Sequence, residues 1–199
     1  MKERPILFSA PMVRALLDGT KTQTRRVCKP AEAAGLSFVV EVPDPLERGQ
    51  VYNGSHFGNE EGGVQFACPY GGIGDQLWVR ETWAPLTTGH AFAADPVWTA
   101  SPSGRWHPSI HMPRAASRID LEVTGVRVER LQDISEADAR AEGARECDPV
   151  SGREVLLAGP SQRGSFVLHY RDIWEQINGA GSWDANPWVW VVMFRRVRP

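Results

Sequence analysis

Apolar and polar residues alternate along this chain with two different periods. Between Phe166 and Asn178 the residues Phe166, Tyr170, Ile173, Trp174 and Ile177 recur three or four apart. That spacing is one stripe of a helix, and Asn178-Gly179 supplies its stop. Met12, Ala15 and Leu16 repeat the helical spacing earlier, behind Ser9 as a cap and Pro11 in the first turn, with Gly19 as the terminator. In SEADARAEG, Ser135, Asp138 and Gly143 mark the cap, first turn and end of a two-turn helix. A period of two appears elsewhere. Ile6 to Phe8 reads as a short entry strand. In GDQLWVRETW, Leu77, Val79 and Glu81 alternate with Trp78, Arg80 and Thr82. From Arg118 to Leu131, Ile119, Leu121 and Val123 share one face. Gly125 then breaks the run as a bulge, and Val126 and Val128 resume in the opposite parity. The stretch from Trp188 to Phe194 is apolar on both faces, which predicts a central strand.

Between these elements lie three stretches rich in Pro, Gly and polar residues, at 30–73, 84–110 and 145–164, which read as irregular insertions. Several strands, three short helices and three long loops predict a single α+β domain over residues 1–199, built around a small curved sheet or barrel.

Composition narrows the class. Hydrophobic residues make up 42% and charged residues 23% of 199, the range of soluble globular chains. A net charge of −2 excludes a global polycation, so any nucleic-acid affinity has to come from a local patch. Cys28, Cys68 and Cys147 are far apart and form no CxxC pair, which gives no support for a zinc knuckle and fits a reducing cytoplasm. No apolar run reaches the roughly 18 residues of a membrane span, and the first residues lack a signal-like core. A cytoplasmic location with no membrane partner is the expectation.

The stretch LLDGTKTQTRRV carries the first candidate chemistry. Lys21 and Thr24 are three residues apart, so they share a pocket only if residues 20–24 turn. A threonine hydroxyl needs a base, and a desolvated lysine can lose its proton near neutral pH and serve as one. Arg25 and Arg26 have the fork geometry that binds phosphate. The same cations also suit a helix C-terminus with no chemistry attached. Glu81 puts a carboxylate on an inward strand face, or at a strand end that reaches water. Eight tryptophans are many for this length. Trp78, Trp83, Trp183, Trp188 and Trp190 cluster near strand ends, to stack a base or to fill the core. In RWHPSIHMPRAASR, His107 and His111 stand four apart, but Pro108 and Pro113 argue against the helix a metal site would need. No metal or cofactor is expected. Arg114 and Arg118 make that segment a basic loop.

Gly19, Lys21 and Arg26 follow a short helix, and GDQLWVRETW, RIDLEVTGVRVERLQDISEADARAEG and SWDANPWVWVVMFRRV come after them in order. This ordered set resembles the ASCH family of the PUA-like superfamily, in the form carried by phage and prophage genomes. The resemblance implies a small β-barrel flanked by helices, with a cleft suited to RNA or a modified nucleoside. The family includes small bacterial enzymes that hydrolyse N4-acetylcytidine using a lysine, a threonine three residues later and a strand glutamate. Lys21, Thr24 and Glu81 stand at the matching positions. For the metal-assisted ribonucleases of the family there is no residue match. The chain is also much longer than the minimal enzymes, so its loops reshape or cover the cleft.

Three functions follow as expectations. The first is hydrolysis of an N4-acyl cytidine amide, with Thr24 as nucleophile and Lys21 and Glu81 as activator and proton carrier, in either assignment. The second is a non-catalytic reader of RNA or a modified base. For both, Gly19, Arg25, Arg26, Trp78, Trp83 and Arg114 are the candidate substrate contacts. The third is a phage accessory protein that uses its loops for protein contacts.

Overall fold

The computed structural model describes residues 1–41, 56–59, 63–102, 104–146 and 165–197. Five strands form the main sheet: β1 (Glu3–Leu7), β2 (Gln23–Val27), β6 (Gln76–Arg80), β9 (Asp120–Arg130) and β10 (Trp188–Arg196), in the order β1-β6-β9-β10-β2. β1 and β6 run parallel and the other neighbours antiparallel. The sheet is open as described, with β1 and β2 at its edges, so the chain is a mixed α+β fold.

β10 lies inside the sheet and is buried on both faces, as its continuous apolar run predicts. Trp188, Trp190, Val192 and Phe194 face one core together with Val13 and Leu16 of α1 (Ala10–Leu17). Val189 and Val191 face a second core. That core contains Ala139 of α3 (Glu136–Ala141) and Tyr170 and Trp174 of α4 (Phe166–Asn178). The two faces are separate hydrophobic layers, and β2 forms the sheet edge between the helices that cover them.

The parity change in β9 is real. Gly125 pairs with Met193 and Val123 with Phe194, so Thr124 is the extra, exposed residue. A Cβ on Gly125, beside the extra residue, would lie 2.3 Å from the flexible tip of Met193, which would have to shift. Ser135 caps α3 by accepting the Asp138 N–H at 3.0 Å, and Ser165 caps α4 through the Leu168 N–H at 3.3 Å.

The loop assignments need correction. Residues 30–73 carry the end of α2 (Lys29–Ala33) and a three-stranded sheet of β3 (Val40–Glu41), β4 (His56–Gly58) and β5 (Gln65–Ala67). Phe57 and Phe66 from that sheet meet the Trp190 ring edge-on at 5.1 and 5.7 Å. Residues 84–110 include most of a hairpin, β7 (Trp83–Pro85) with β8 (His90–Phe92). Strands of two or three residues are too short to show a period, so their pattern looks irregular. Most of the third insertion, 147–164, lies outside the described residues, and Cys147 with it. Cys28 and Cys68 are buried free thiols, and burial pushes both up to about 11. Among the described residues no helix is long and apolar enough to cross a membrane.

Candidate functional site

α1 ends at Leu17, and Gly19, at φ +73°, reverses the chain in a conformation that costs glycine little. The N–H groups of Thr20 and Lys21 both donate to the Ala15 carbonyl, at 2.9 and 3.0 Å. Thr22 N–H reaches the Ala141 carbonyl at 2.8 Å, and Lys21 bridges to Glu142. Residues 19–22 therefore turn and dock on the end of α3 before β2 begins. Along β2 the side chains alternate. Thr24 and Arg26 stand opposite Val192 and Trp190, on the α1 side, while Arg25 stands opposite Val191, on the α4 side.

Lys21 is 2% exposed and Glu142 5%. Lys21 Nζ donates to the Glu142 carbonyl and to its Oε2, both at 2.8 Å. The other carboxylate oxygen, Oε1, accepts from Arg25 Nη1 at 3.2 Å. Arg25 also pairs with Glu129 and, at 3.3 Å, with Asp138. Arg127 closes the network with Glu129 at 2.7 Å and Asp138 at 3.1 Å. Three cations meet three carboxylates, so the buried cluster is neutral when all are ionised. Burial still lowers the Lys21 pKa, with Glu142 opposing the shift and Arg26 and Arg25 adding to it. For Arg25 burial works against the charge, but Glu142 and Glu129 outweigh it and raise the pKa. Tyr170, buried above the pair, is pushed well above the usual phenol range, chiefly by desolvation and then by the Glu142 charge.

Thr24, Arg25, Arg26 and Glu142 border a cavity of about 40 Å³ that Met12, Tyr170 and Trp174 wall in. This has room for a few waters or a small acyl group, well below the roughly 300–1,000 Å³ of pockets that enclose drug-sized ligands. Thr24 is buried and its hydroxyl makes no hydrogen bond among the described residues. Arg26 is half-buried. It lies 5.4 Å from the Phe8 ring centroid, donates to the Leu7 carbonyl at 2.6 Å, and has no ion-pair partner among the described residues. The two adjacent arginines thus differ. Both line the cavity, but Arg25 is fully engaged by carboxylates, whereas Arg26 has no ion-pair partner among the described residues.

Glu81 is 1% exposed, just beyond β6, on the same face as Leu77 and Val79. It does not reach water through the strand end. Arg118 grips it with two bonds, Nε to Oε1 at 2.9 Å and Nη2 to Oε2 at 3.1 Å, and pairs with Asp95 at 2.7 Å. The Arg118 guanidinium sits 4.0 Å from the Phe92 ring centroid. Burial raises the Glu81 pKa; Arg118 opposes that shift and Asp95 reinforces it. No hydrogen bond or ion pair joins Glu81 to Lys21 or Thr24 among the described residues. Phe8 borders both groups. Its N–H donates to the Arg80 carbonyl, next to Glu81, and its ring lies 5.6 Å from Lys21 Nζ.

The remaining candidates have protein partners. Arg114 pairs with Glu3 at 3.1 Å and Asp120 at 2.9 Å. The Trp78 ring lies 5.1 Å from Arg80 and 6.0 Å from Arg114. Trp83 packs against His90 and His107 at 5.3 and 5.2 Å. Among the described residues no group of three metal-ligating side chains converges.

Glu142, Gly143, Tyr170 and Arg118 did not stand out in the sequence as site residues. Gly143 sits at φ +86°, and a Cβ there would meet Ala15 Cβ at 3.0 Å and Lys21 Cβ at 3.4 Å. One signal was available: a carboxylate immediately before the glycine that ends a helix, at the tip where a neighbouring turn can dock. Comparisons with protein-family models, curated proteins and solved structures gave no match.

Proposed function

We propose that the cleft at the β2 edge hydrolyses the amide of a small acylated nucleoside of the N4-acetylcytidine type, in an ASCH-like, PUA-like fold of the cytoplasm. The observation that carries this reading is a lysine buried to 2% exposure, its proton affinity lowered by desolvation, and held by Glu142, which borders a small cavity together with Thr24. Desolvation is what turns a lysine into a base near neutral pH.

The steps balance as an acyl transfer. Thr24 Oγ attacks the acyl carbon while neutral Lys21 takes its proton. The resulting ammonium returns that proton to the departing cytosine amine, leaving an acyl-threonine ester and free cytidine. Water then attacks the ester, losing one proton to Lys21, which passes it to the Thr24 oxygen; the carboxylic acid leaves and gives its remaining proton to solvent. Arg26 supplies the positive charge that a developing oxyanion needs. Glu81, held at both oxygens by Arg118, carries no proton in these steps. On the same reading the five-stranded sheet belongs to a small barrel.

A second reading is a non-catalytic binder of RNA or a modified base. It is favoured by the Lys21 amine being held twice by Glu142, as in a structural ion pair. One experiment separates the two. Purified protein incubated with N4-acetylcytidine should release cytidine and acetate in equal amounts, and Lys21→Ala or Thr24→Ala should release neither. Intact substrate after long incubation at high protein concentration sinks the hydrolase. Salt-sensitive RNA binding that survives Thr24→Ala would then support the binder.

A further inference from the structure

We propose that Glu142 is the positioning residue of this cleft: its carbonyl and carboxylate hold the Lys21 nitrogen in place, and its charge sets the pH at which that nitrogen loses its proton. This rests on the hydrolase reading for its catalytic consequence, but its physical content is independent of any substrate.

The hydrogen-bond count supports the assignment. A lysine ammonium has three N–H donors, and the neutral amine has two plus a lone pair. Glu142 offers Lys21 two acceptors, the carbonyl oxygen and Oε2, each at 2.8 Å. The neutral amine can satisfy both and still present its lone pair in the third direction. The same two bonds fix where that third direction points. Glu81 has no such contact, since Arg118 occupies both of its oxygens.

The electrostatics around Lys21 involve every packed element. From β2, Arg25 and Arg26 repel its proton; from the end of α3, Glu142 attracts it. Tyr170 of α4 faces Glu142 and Arg25, and Glu129, Arg127 and Asp138 act through Arg25. Glu142 is the carboxylate in direct contact, so removing its charge leaves Lys21 among cations. Its titration must then move down.

The chain has three lysines, Lys2, Lys21 and Lys29, which makes lysine-selective NMR direct. Lys2 and Lys29 are exposed and serve as internal controls. With 13C-labelled lysine and Lys21 assigned by its loss in Lys21→Arg, the Lys21 midpoint is read in wild type and in Glu142→Gln. It should fall by about 1 pH unit or more, as expected for losing an opposite charge in contact, while Lys2 and Lys29 do not move. Glu142→Asp keeps the charge but shortens the reach, so it should lower the midpoint by less. It is also the variant to read if Glu142→Gln does not fold. A Lys21 midpoint unchanged in the folded variants overturns the proposal. If wild type hydrolyses N4-acetylcytidine, the acid limb of kcat/KM should move down together with the lysine midpoint. A residue with a merely structural role would lower the rate at all pH values and leave that limb in place. Absence of hydrolysis in wild type would remove the hydrolase reading while the lysine titration still tests Glu142.

Discussion

Replacing Gly143 by alanine tests how closely the Lys21 turn fits the end of α3. Two costs add at this position. The backbone sits at φ +86°, where an L-residue is disfavoured by about 1–2 kcal/mol. The new methyl group would also lie 3.0 Å from Ala15 Cβ, tighter than nearly all carbon contacts, and 3.4 Å from Lys21 Cβ. Ala15 is in α1 and its carbonyl holds the N–H groups of Thr20 and Lys21, so the methyl has no flexible neighbour to displace. Crowding of this kind costs about 1–3 kcal/mol. Gly143→Ala should therefore lose about 2–4 kcal/mol in urea unfolding, read from the midpoint at unchanged slope.

Gly89 provides the control. It has the same φ of +86° and nothing within 4 Å of its built Cβ, so Gly89→Ala should lose only the backbone part, about 1–2 kcal/mol. Ala15→Gly removes the opposing methyl. Alone it costs about 1 kcal/mol as a helix glycine, but in the Gly143→Ala background it should cost less or stabilise. Equal losses at Gly143 and Gly89, with Ala15→Gly strictly additive, would refute the close packing of turn and helix end.

Arg118→Met leaves Glu81 buried without its cation and should cost about 3 kcal/mol at pH 7, at the low end for a buried pair because Arg118 is partly solvated. The folded Glu81 pKa is already raised, so its contribution to stability is greatest below the unfolded value of 4.5 and falls as pH rises through the raised one. Arg118→Met should steepen that fall, and Glu81→Gln in the same chain should flatten it, as read by urea midpoints from pH 4 to 8. Trp190→Ala empties a position packed edge-on by Phe57 and Phe66 and should cost about 3–5 kcal/mol. An unchanged midpoint would remove that contact from the account. Ser135→Ala deletes the α3 cap and should cost about 1 kcal/mol. The same assay measures it, and a loss below a few tenths would mean that the Asp138 N–H finds another acceptor.

The parts of this fold that were legible in the sequence are those long enough to show a period. β10, β9 with its parity change at Gly125, and α4 each span nine residues or more, and their periodicity predicts their place in the sheet or core. The strands of two or three residues at β3, β4 and β5 were not legible, because burial of two aromatic rings leaves no repeat to detect. At the site, the turn that brings Lys21 into the interior follows from the helix end and Gly19. Its carboxylate partner does not. Glu142 is 121 positions away, and local pattern carries no information about which distant charge a buried lysine meets. The split between the two arginines was legible in principle. Neighbours on a strand face opposite sides, so Arg25 and Arg26 pack against different layers, although at the sheet edge both line the cavity.

On the proposed reading, Arg25 also explains how the cleft would tolerate a neutral Lys21. A carboxylate buried without a cation costs several kcal/mol, so a lysine paired only with Glu142 would be held protonated by the carboxylate it would strand. Glu142 is not in that position. Oε2 accepts from Lys21 while Oε1 accepts from Arg25, whose pKa is raised and whose charge is fixed. When Lys21 gives up its proton, the carboxylate keeps one full cation partner, and the amine can still donate to it. Stability alone is a weak reason to keep such a network in an interior, since apolar side chains of similar volume often serve as well. A lysine whose charge can change gives, on the proposed reading, a chemical reason. On the proposed hydrolase reading, Arg25, held by Glu142 and Glu129, is what would allow Lys21 to act as a base.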